Sequence, residues 1–107
     1  MIKAGIVCPC PIEYETCCNI LELSNEKELA GRVVASKKSN NIDLFAIKAG
    51  PGKIQCASAT QLVIDNFRSD YIIDVGGAGA LSNELKINDI VCVKNAFEYD
   101  IFDLEEF

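Results

Sequence analysis

The sequence predicts an α/β protein built on a mixed, largely parallel sheet with flanking helices. Short apolar runs of strand length alternate with longer segments whose apolar residues recur at helical spacing. Glycine- and proline-rich turns separate these segments. In chain order they indicate strand, helix, hairpin, helix, strand and strand, which is typical of α/β folds. A chain of 107 residues suffices for one small domain, so we predict a single domain over residues 1–107.

The first strand and the first helix are separated by a proline-containing sequence. Residues 3–7 are a short hydrophobic run, and the CPCP sequence that follows ends the strand. Apolar spacing then predicts a helix over residues 12–23, and Pro11 suits its N-terminus, where a missing N–H is not needed. The spacing of its apolar positions suits a helix packed on a sheet. These positions are Ile12, Cys17, Ile20, Leu21 and Leu23.

A hairpin and a second helix follow. Strands are predicted over residues 31–36 and 42–49, and the KKSNN sequence between them is typical of a turn. The GPG sequence at residues 50–52 breaks the chain, and an alanine-bearing helix is predicted over residues 53–67. The apolar positions of this second helix are Ile54, Ala57, Leu62, Val63 and Phe67.

The last third of the chain predicts two more strands around a loop of small residues. A buried strand is expected over residues 71–75, the loop over residues 76–81 and another strand over residues 90–93. No predicted helix follows that last strand, although a parallel sheet usually has both faces covered. We therefore expect a fold that is incomplete on its C-terminal side.

Composition argues against two classes of partner. The formal net charge of −6 and the pI of about 4.5 would repel a phosphate backbone, so we expect no nucleic-acid partner. No apolar run approaches the roughly 20 residues of a membrane span, so we expect no membrane partner. The N-terminal MIKAGIV is too short for a signal peptide and reads as a strand, which predicts a cytoplasmic protein.

Six cysteines are many for this length, yet the chain has no C-x-x-C motif and no histidine. Mixed Cys/His zinc sites are therefore excluded. Cys8, Cys56 and Cys92 lie in apolar segments, where a reduced thiol packs as a small hydrophobic group. We predict reduced, packing cysteines. The disfavoured alternative is a metal cluster formed by Cys8, Cys10, Cys17 and Cys18.

Two glycine-rich turns follow predicted strands, and neither fits a known phosphate loop. Around residues 50–53, Ile47 and Ile54 stand where a Walker loop needs glycine and a hydroxyl residue. The turn at residues 76–79 lacks the third glycine of a dinucleotide fingerprint, because Ser82 occupies that position. Both turns lie where α/β sheets bind ligands. Backbone contact with a ligand and tight packing therefore remain equally open.

One carboxylate, Glu13, falls in the first turn of the predicted helix, just beyond the first strand. The helix dipole stabilises an anion at that position. A structural acid at the helix terminus is the more common interpretation, and a functional carboxylate at the end of a strand is the other. Glu15 is a competing candidate for the functional role.

Four stretches in sequence order carry a family resemblance. They are GIVCPCPIE at residues 5–13, KAGPGKIQCASAT at 48–60, DYIIDVGGAGAL at 70–81 and LKINDIVCVKNAFEYD at 85–100. In order, they resemble a strand and loop ending in glutamate, a G-x-G-K turn with an alanine-rich helix, a strand with a small-residue loop, and a G-D-I-V strand. Together they resemble the purine/uridine phosphorylase superfamily, and most closely its methylthioadenosine/S-adenosylhomocysteine nucleosidases.

The resemblance implies a reaction and a site. In this family the glutamate in the place of Glu13 acts as general base on the attacking water, while the nucleobase departs through a transition state with oxocarbenium character. Gly77, Ala78 and Gly79 would contact the nucleoside through their backbone, with Gly79 the favoured contact. The implied partner is a small-molecule nucleoside, and the implied reaction uses no cofactor and no metal.

Hydrolysis is favoured over phosphorolysis, which stays an alternative. A phosphorylase usually holds phosphate with arginines. The chain has only Arg32 and Arg68, and we expect neither near the loops at the strand ends. Gly77 also replaces a serine that many relatives carry, which removes a hydroxyl that could hold phosphate or water.

The chain also departs from the family pattern. The family's domain continues well past the equivalent of Phe107, into a half that supplies the acid for the leaving base, the purine-reading residues and a glutamate for the ribose hydroxyls. Tyr99 stands where a histidine often precedes the aspartate matching Asp100, and Asn88 replaces the glycine of G-D-I-V. We therefore expect catalysis only when the missing half is present. The expected protein partner is a second copy in a homodimer, or a complementing chain. The alternative is a truncated, non-catalytic relative that acts as an oligomeric binding or interaction module.

Overall fold

A computed structural model describes residues 1–98 of the chain. The chain divides into two compact units, Met1–Gly77 and a second unit that begins at Ala78. Tyr99 and Asp100, singled out in the sequence, lie outside the described residues.

The first unit is a mixed sheet of five strands in the order β2-β3-β4-β1-β5. β1 pairs in parallel with β4 and β5, whereas β2, β3 and β4 pair antiparallel. The predicted α/β class, mixed sheet and hairpin are therefore confirmed. The elements are β1 (Ile2–Cys8), α1 (Pro11–Leu21), β2 (Lys27–Leu29), β3 (Arg32–Lys38), β4 (Ile42–Lys48), α2 (Lys53–Phe67) and β5 (Tyr71–Asp74).

Local sequence signals explain where both helices begin and end. α1 starts at Pro11 as predicted, and it ends where Glu22 adopts a left-handed conformation with φ of 57°. α2 follows Gly52, whose φ of 97° favours glycine, and ends at Arg68, with φ of 52°. Neither helix has the length and apolar character to cross a membrane, as far as the described residues go.

Two apolar clusters lie on opposite faces of the sheet, one under each helix. Val7 of β1 packs in the cluster under α2 with Val63, while its neighbours Ile6 and Cys8 pack in the cluster under α1. Both faces of β1 are thus buried, which explains its continuous apolar run. Burying one such aliphatic side chain fully contributes about 1.5–3 kcal/mol.

The buried face of α1 differs from the prediction. Ile12 and Ile20 are 72% and 73% exposed, so their predicted place in the core is wrong. Tyr14 is buried instead and starts the i, i+3, i+4, i+7 row that lies over the sheet. Its hydroxyl donates to a carboxylate oxygen of Glu26 at 3.0 Å, which satisfies the polar group of an otherwise buried ring.

The buried face of α2 is predicted in part. Val63 and Phe67 are buried as expected, together with Ala59. Ile54 is 86% exposed and Ala57 is also exposed, so these two assignments are wrong. The inward row repeats every four residues from Ala59, and Ile54 and Ala57 do not lie on it.

β5 is an edge strand, which corrects the prediction of a buried strand. Tyr71 is 62% exposed and Ile73 is 45% exposed, whereas Ile72 packs against the core under α2. Within residues 1–98, β5 pairs only with β1. An apolar run indicates a strand, but it does not indicate whether a neighbour covers its second side.

The described part of the second unit, residues 78–98, has turns but neither helix nor strand. The strand predicted over residues 90–93 is therefore wrong, and Ile90 and Val93 are exposed. A β-strand forms only where a neighbouring strand makes hydrogen bonds with its backbone N–H and C=O groups. No described residue pairs with this segment.

All six cysteines are free thiols. Cys8 is fully buried, as predicted, whereas Cys92 is exposed and does not pack as predicted. In residues 1–98, no group of three or more Cys, Asp or Glu side chains is arranged to hold a metal ion.

Burial should make the Cys8 thiol resistant to alkylation in the native protein. Burial raises its pKa from 9.0 to about 12, and neighbouring Cys17 adds to the shift. At about pH 8 the thiolate fraction then falls by roughly a thousandfold. In an iodoacetamide time course read by peptide mass spectrometry, Cys92 should react early and Cys8 last, with the difference lost in urea. Equal native rates would contradict this expectation.

Candidate functional site

Three parallel strands end at the same edge of the sheet. β1 and β4 end in register at Cys8 and Lys48, and β5 ends beside them at Asp74. The loops that follow these strands carry most of the residues that the sequence indicates as ligand contacts. In open α/β sheets this edge is where ligands bind.

Glu13 is held at this edge by two backbone amides from different loops. Its Oε2 accepts a hydrogen bond from the N–H of Cys10 at 3.0 Å, which caps the start of α1. Its Oε1 accepts one from the N–H of Gly77 at 3.4 Å, in the loop after β5. The carboxylate therefore caps a helix and also links the loops after β1 and β5.

The structure brings Glu13 and Gly77 together and leaves Glu15 apart. Glu15 is exposed on α1, whereas Glu13 is half-buried at the strand ends.

Ala78 and Gly79, the other two predicted contacts, belong to the second unit, where both are exposed.

Arg32 lies at this edge, so its predicted distance from the strand-end loops is wrong. Its Nε donates to the carbonyl oxygen of Ala49 at 3.3 Å, and its Nη2 donates to Gln55 at 2.6 Å and to Ser58 at 2.7 Å. The antiparallel hairpin explains this position, because the start of β3 lies beside the end of β4. Arg32 thus links Ala49, the residue just before the turn at residues 50–52, to α2.

The turn at residues 50–52 satisfies a backbone requirement. Gly50 and Gly52 have φ of 91° and 97°, a region that favours glycine. A cleft of about 540 Å³ opens beside this turn and is lined by Pro9, Arg32 and Lys48, among others. The tight-turn interpretation therefore holds here, next to an open space at the strand ends.

A second cleft, of about 420 Å³, runs from Glu13 along α1. Its lining includes Ile12 and Ile20 of α1, and Val75 and Gly76 from the segment after β5. Among the described residues that line it, Glu13 alone carries a charge. The exposed isoleucines of α1 thus form an apolar wall beside the carboxylate.

Two carboxylates lie near Cys56 at the strand-end edge. Burial raises the pKa of Cys56, and the negative charges of Asp74 and Glu13 raise it further. Glu13 lies in the first turn of α1, and Asp74 ends β5. Arg32 and Lys48 also lie at this edge, so it carries charges of both signs. The carboxylates favour positive charge that develops on a ligand bound beside them.

Comparisons with known proteins agree with this geometry. The profile of the phosphorylase superfamily matches residues 3–107. The 5′-methylthioadenosine/S-adenosylhomocysteine nucleosidase of Buchnera aphidicola is 36% identical over 106 residues, which cover 99% of this chain and 45% of that protein. The chain therefore spans less than half the length of the curated relatives it matches.

Solved structures show the same similarity. The nucleosidase of the same type from Colwellia psychrerythraea, in complex with adenine, superposes with a TM-score of 0.74 and 30% identity over 82% of this chain and 36% of that one. The Helicobacter pylori nucleosidase with butyl-thio-DADMe-Immucillin-A gives a TM-score of 0.77 and 27% identity over 83% of this chain and 39% of that one. The profile match, the identities and the shared fold together show that this chain belongs to the phosphorylase superfamily.

Proposed function

We propose that the chain is the N-terminal part of a nucleosidase that hydrolyses the N-glycosidic bond of 5′-methylthioadenosine or S-adenosylhomocysteine, acting together with a C-terminal half. The position of the Glu13 carboxylate carries the proposal. It lies at the strand ends, held by the amides of Cys10 and Gly77, beside an open cleft. The nucleosidase relatives support the reaction class.

In the proposed reaction Glu13 accepts a proton from a water molecule whose oxygen attacks C1′ of the ribose. The C1′–N bond breaks, its electron pair leaves with the nucleobase, and the C–O bond forms. The departing base takes up a proton from an acid in the C-terminal half. Positive charge develops on the ribose, and the nearby Glu13 carboxylate stabilises it. The backbone of Gly77, Ala78 and Gly79 contacts the nucleoside, and the scheme uses no cofactor and no metal.

Phosphorolysis is the second candidate, because Arg32 lies beside the cleft at the strand ends. Two of its nitrogens donate to neutral acceptors in the adjoining turn and in α2. Hydrolysis therefore remains the proposal, and dependence on phosphate distinguishes the two.

We also propose that the protein acts in the cytoplasm. The exposed edge of β5 supports a further proposal, that the working protein contains more than one copy of this chain or a complementing chain. Tyr71 and Ile73 are partly exposed apolar side chains on an edge strand. The competing proposal, a non-catalytic oligomeric binding module, makes a separate prediction. Size-exclusion chromatography with light scattering that shows a monomer would exclude that module.

The proposed activity can be tested by complementation. Residues 1–107 are joined to the part of the Buchnera aphidicola nucleosidase that lies beyond the matched region. Adenine release from 5′-methylthioadenosine is followed by chromatography, with and without phosphate. We expect phosphate-independent release by the joined protein and none by either part alone. A folded but inactive joined protein contradicts the nucleosidase proposal, and phosphate-dependent release favours a phosphorylase.

A further inference from the structure

We infer that Gly76 is a positioning residue for Glu13, because its missing side chain lets the carboxylate reach the amide of Gly77. The inference rests on the proposed role of Glu13 as the base. Gly76 follows the end of β5, and it lines the cleft that begins at Glu13.

The space that a side chain would need at Gly76 is already occupied. A Cβ atom there would lie 2.9 Å from Oε1 of Glu13, 3.5 Å from its Cδ and 3.7 Å from its Oε2. The three nearest atoms all belong to this one carboxylate. A separation of 2.9 Å is shorter than the non-bonded contacts that Cβ atoms make in folded proteins. Any residue larger than glycine must therefore displace the carboxylate.

Backbone conformation does not explain the glycine. The glycines with positive φ in the described residues are Gly31, Gly50 and Gly52, and Gly76 is not among them. Core packing does not explain it either, because Gly76 is exposed. The close approach of Glu13 is thus the contact that a side chain at this position would disturb.

Two hydrogen bonds hold the Glu13 carboxylate, and a side chain at Gly76 would disturb the weaker one, from the Gly77 amide. The distance from the Gly77 nitrogen to Oε1 is 3.4 Å, beyond the usual 2.7–3.2 Å. The Cys10 contact, at 3.0 Å, lies within that range. A displaced Oε1 would lose the Gly77 amide while Oε2 keeps the Cys10 amide. The carboxylate would then be held at one oxygen, free to turn away from the reacting water.

The amide resonances of the chain itself test this geometry. Glu13→Gln is introduced into the ¹⁵N-labelled protein and into its Gly76→Ala variant, and the amide shifts of Cys10 and residue 77 are compared. In the parent, the substitution at Glu13 should move both amides. With Gly76→Ala, the Cys10 amide should still respond and the Gly77 amide should not. Gly77→Ala is the matched control, because nothing lies within 4 Å of its added Cβ, and its residue 77 amide should still respond.

A Gly77 amide that responds equally in the Gly76→Ala background overturns the inference. So does a Gly76→Ala variant that has lost its folded spectrum, because Gly76 would then be needed for packing. In the joined, active protein, Gly76→Ala should lower kcat by on the order of tenfold to a hundredfold with little change in KM. Loss of the Gly77 response in an inactive joined protein would support the positioning role while contradicting the proposed activity.

Discussion

Replacing Glu13 by glutamine should lower kcat of the joined, active protein by about 10²- to 10⁴-fold, the usual contribution of a general base. Glutamine keeps an oxygen that can accept the Cys10 hydrogen bond, so the start of α1 is preserved. It cannot take up a proton from water at neutral pH. Adenine release from 5′-methylthioadenosine under saturating conditions measures the loss.

Glu15→Gln is the matched control for Glu13→Gln. Both acids lie in the first half of α1, but Glu15 is exposed and is not among the residues that line the cleft beside Glu13. Glu15→Gln should therefore keep kcat within about twofold, since exposed substitutions rarely disturb a fold. If the two variants lost activity equally, or if Glu13→Gln stayed active, Glu13 would not be the base.

Replacing Gly5 by alanine should lower the free energy of unfolding by about 1–3 kcal/mol or more, because the core is already full there. An added Cβ would lie 2.3 Å from Cγ1 of Val63 and 3.0 Å from Cδ1 of Ile72. Val63 is itself fully buried, so it has little room to move. Urea unfolding, followed by circular dichroism, measures the change. The unfolding free energy should depend on urea concentration with the same slope in both proteins.

The double variant Gly5→Ala with Val63→Ala identifies the cause. Removing the Val63 methyl groups makes space for the new Cβ, so the two losses should sum to more than the loss in the double variant. Gly77→Ala, where nothing lies within 4 Å, should change stability by less than about 0.5 kcal/mol. Strict additivity would mean that the Gly5 effect is unrelated to Val63.

In the first unit, the sequence predicted the positions of most helices and strands better than it predicted which of their residues are buried. The bounds of α2 matched because a GPG turn precedes the helix and because Phe67, the last of its predicted apolar positions, is also its last residue. The inward face of α1 was missed because Tyr14 is amphipathic, and its burial depends on a hydroxyl partner twelve residues away. β2 was missed because Lys27–Leu29 is three residues long and mostly polar, and its strand character comes from pairing with β3.

The candidate site was predictable only where a residue acts locally. Glu13 could be singled out because the strand end and the helix start are both visible in the sequence. Its Cys10 partner also has a local signal, since a residue three positions before a glutamate at a helix start is the pattern of a capping box. Arg32 and Gly76 have no such signal, because hairpin pairing and a contact across the sheet edge bring them to the site.

The central place of β1 has a consequence for how the chain folds during synthesis. Ile2 pairs with Ile42, and Ala4 pairs with Tyr71, so both neighbours of the first strand are made long after it. Such distant pairings close large loops and slow folding. Until Tyr71–Asp74 leaves the ribosome, the apolar first strand has an unpaired side that is prone to pair with other chains. The order of the strands therefore leaves the nascent N-terminal strand without its partners for much of synthesis, and exposed to association with other chains.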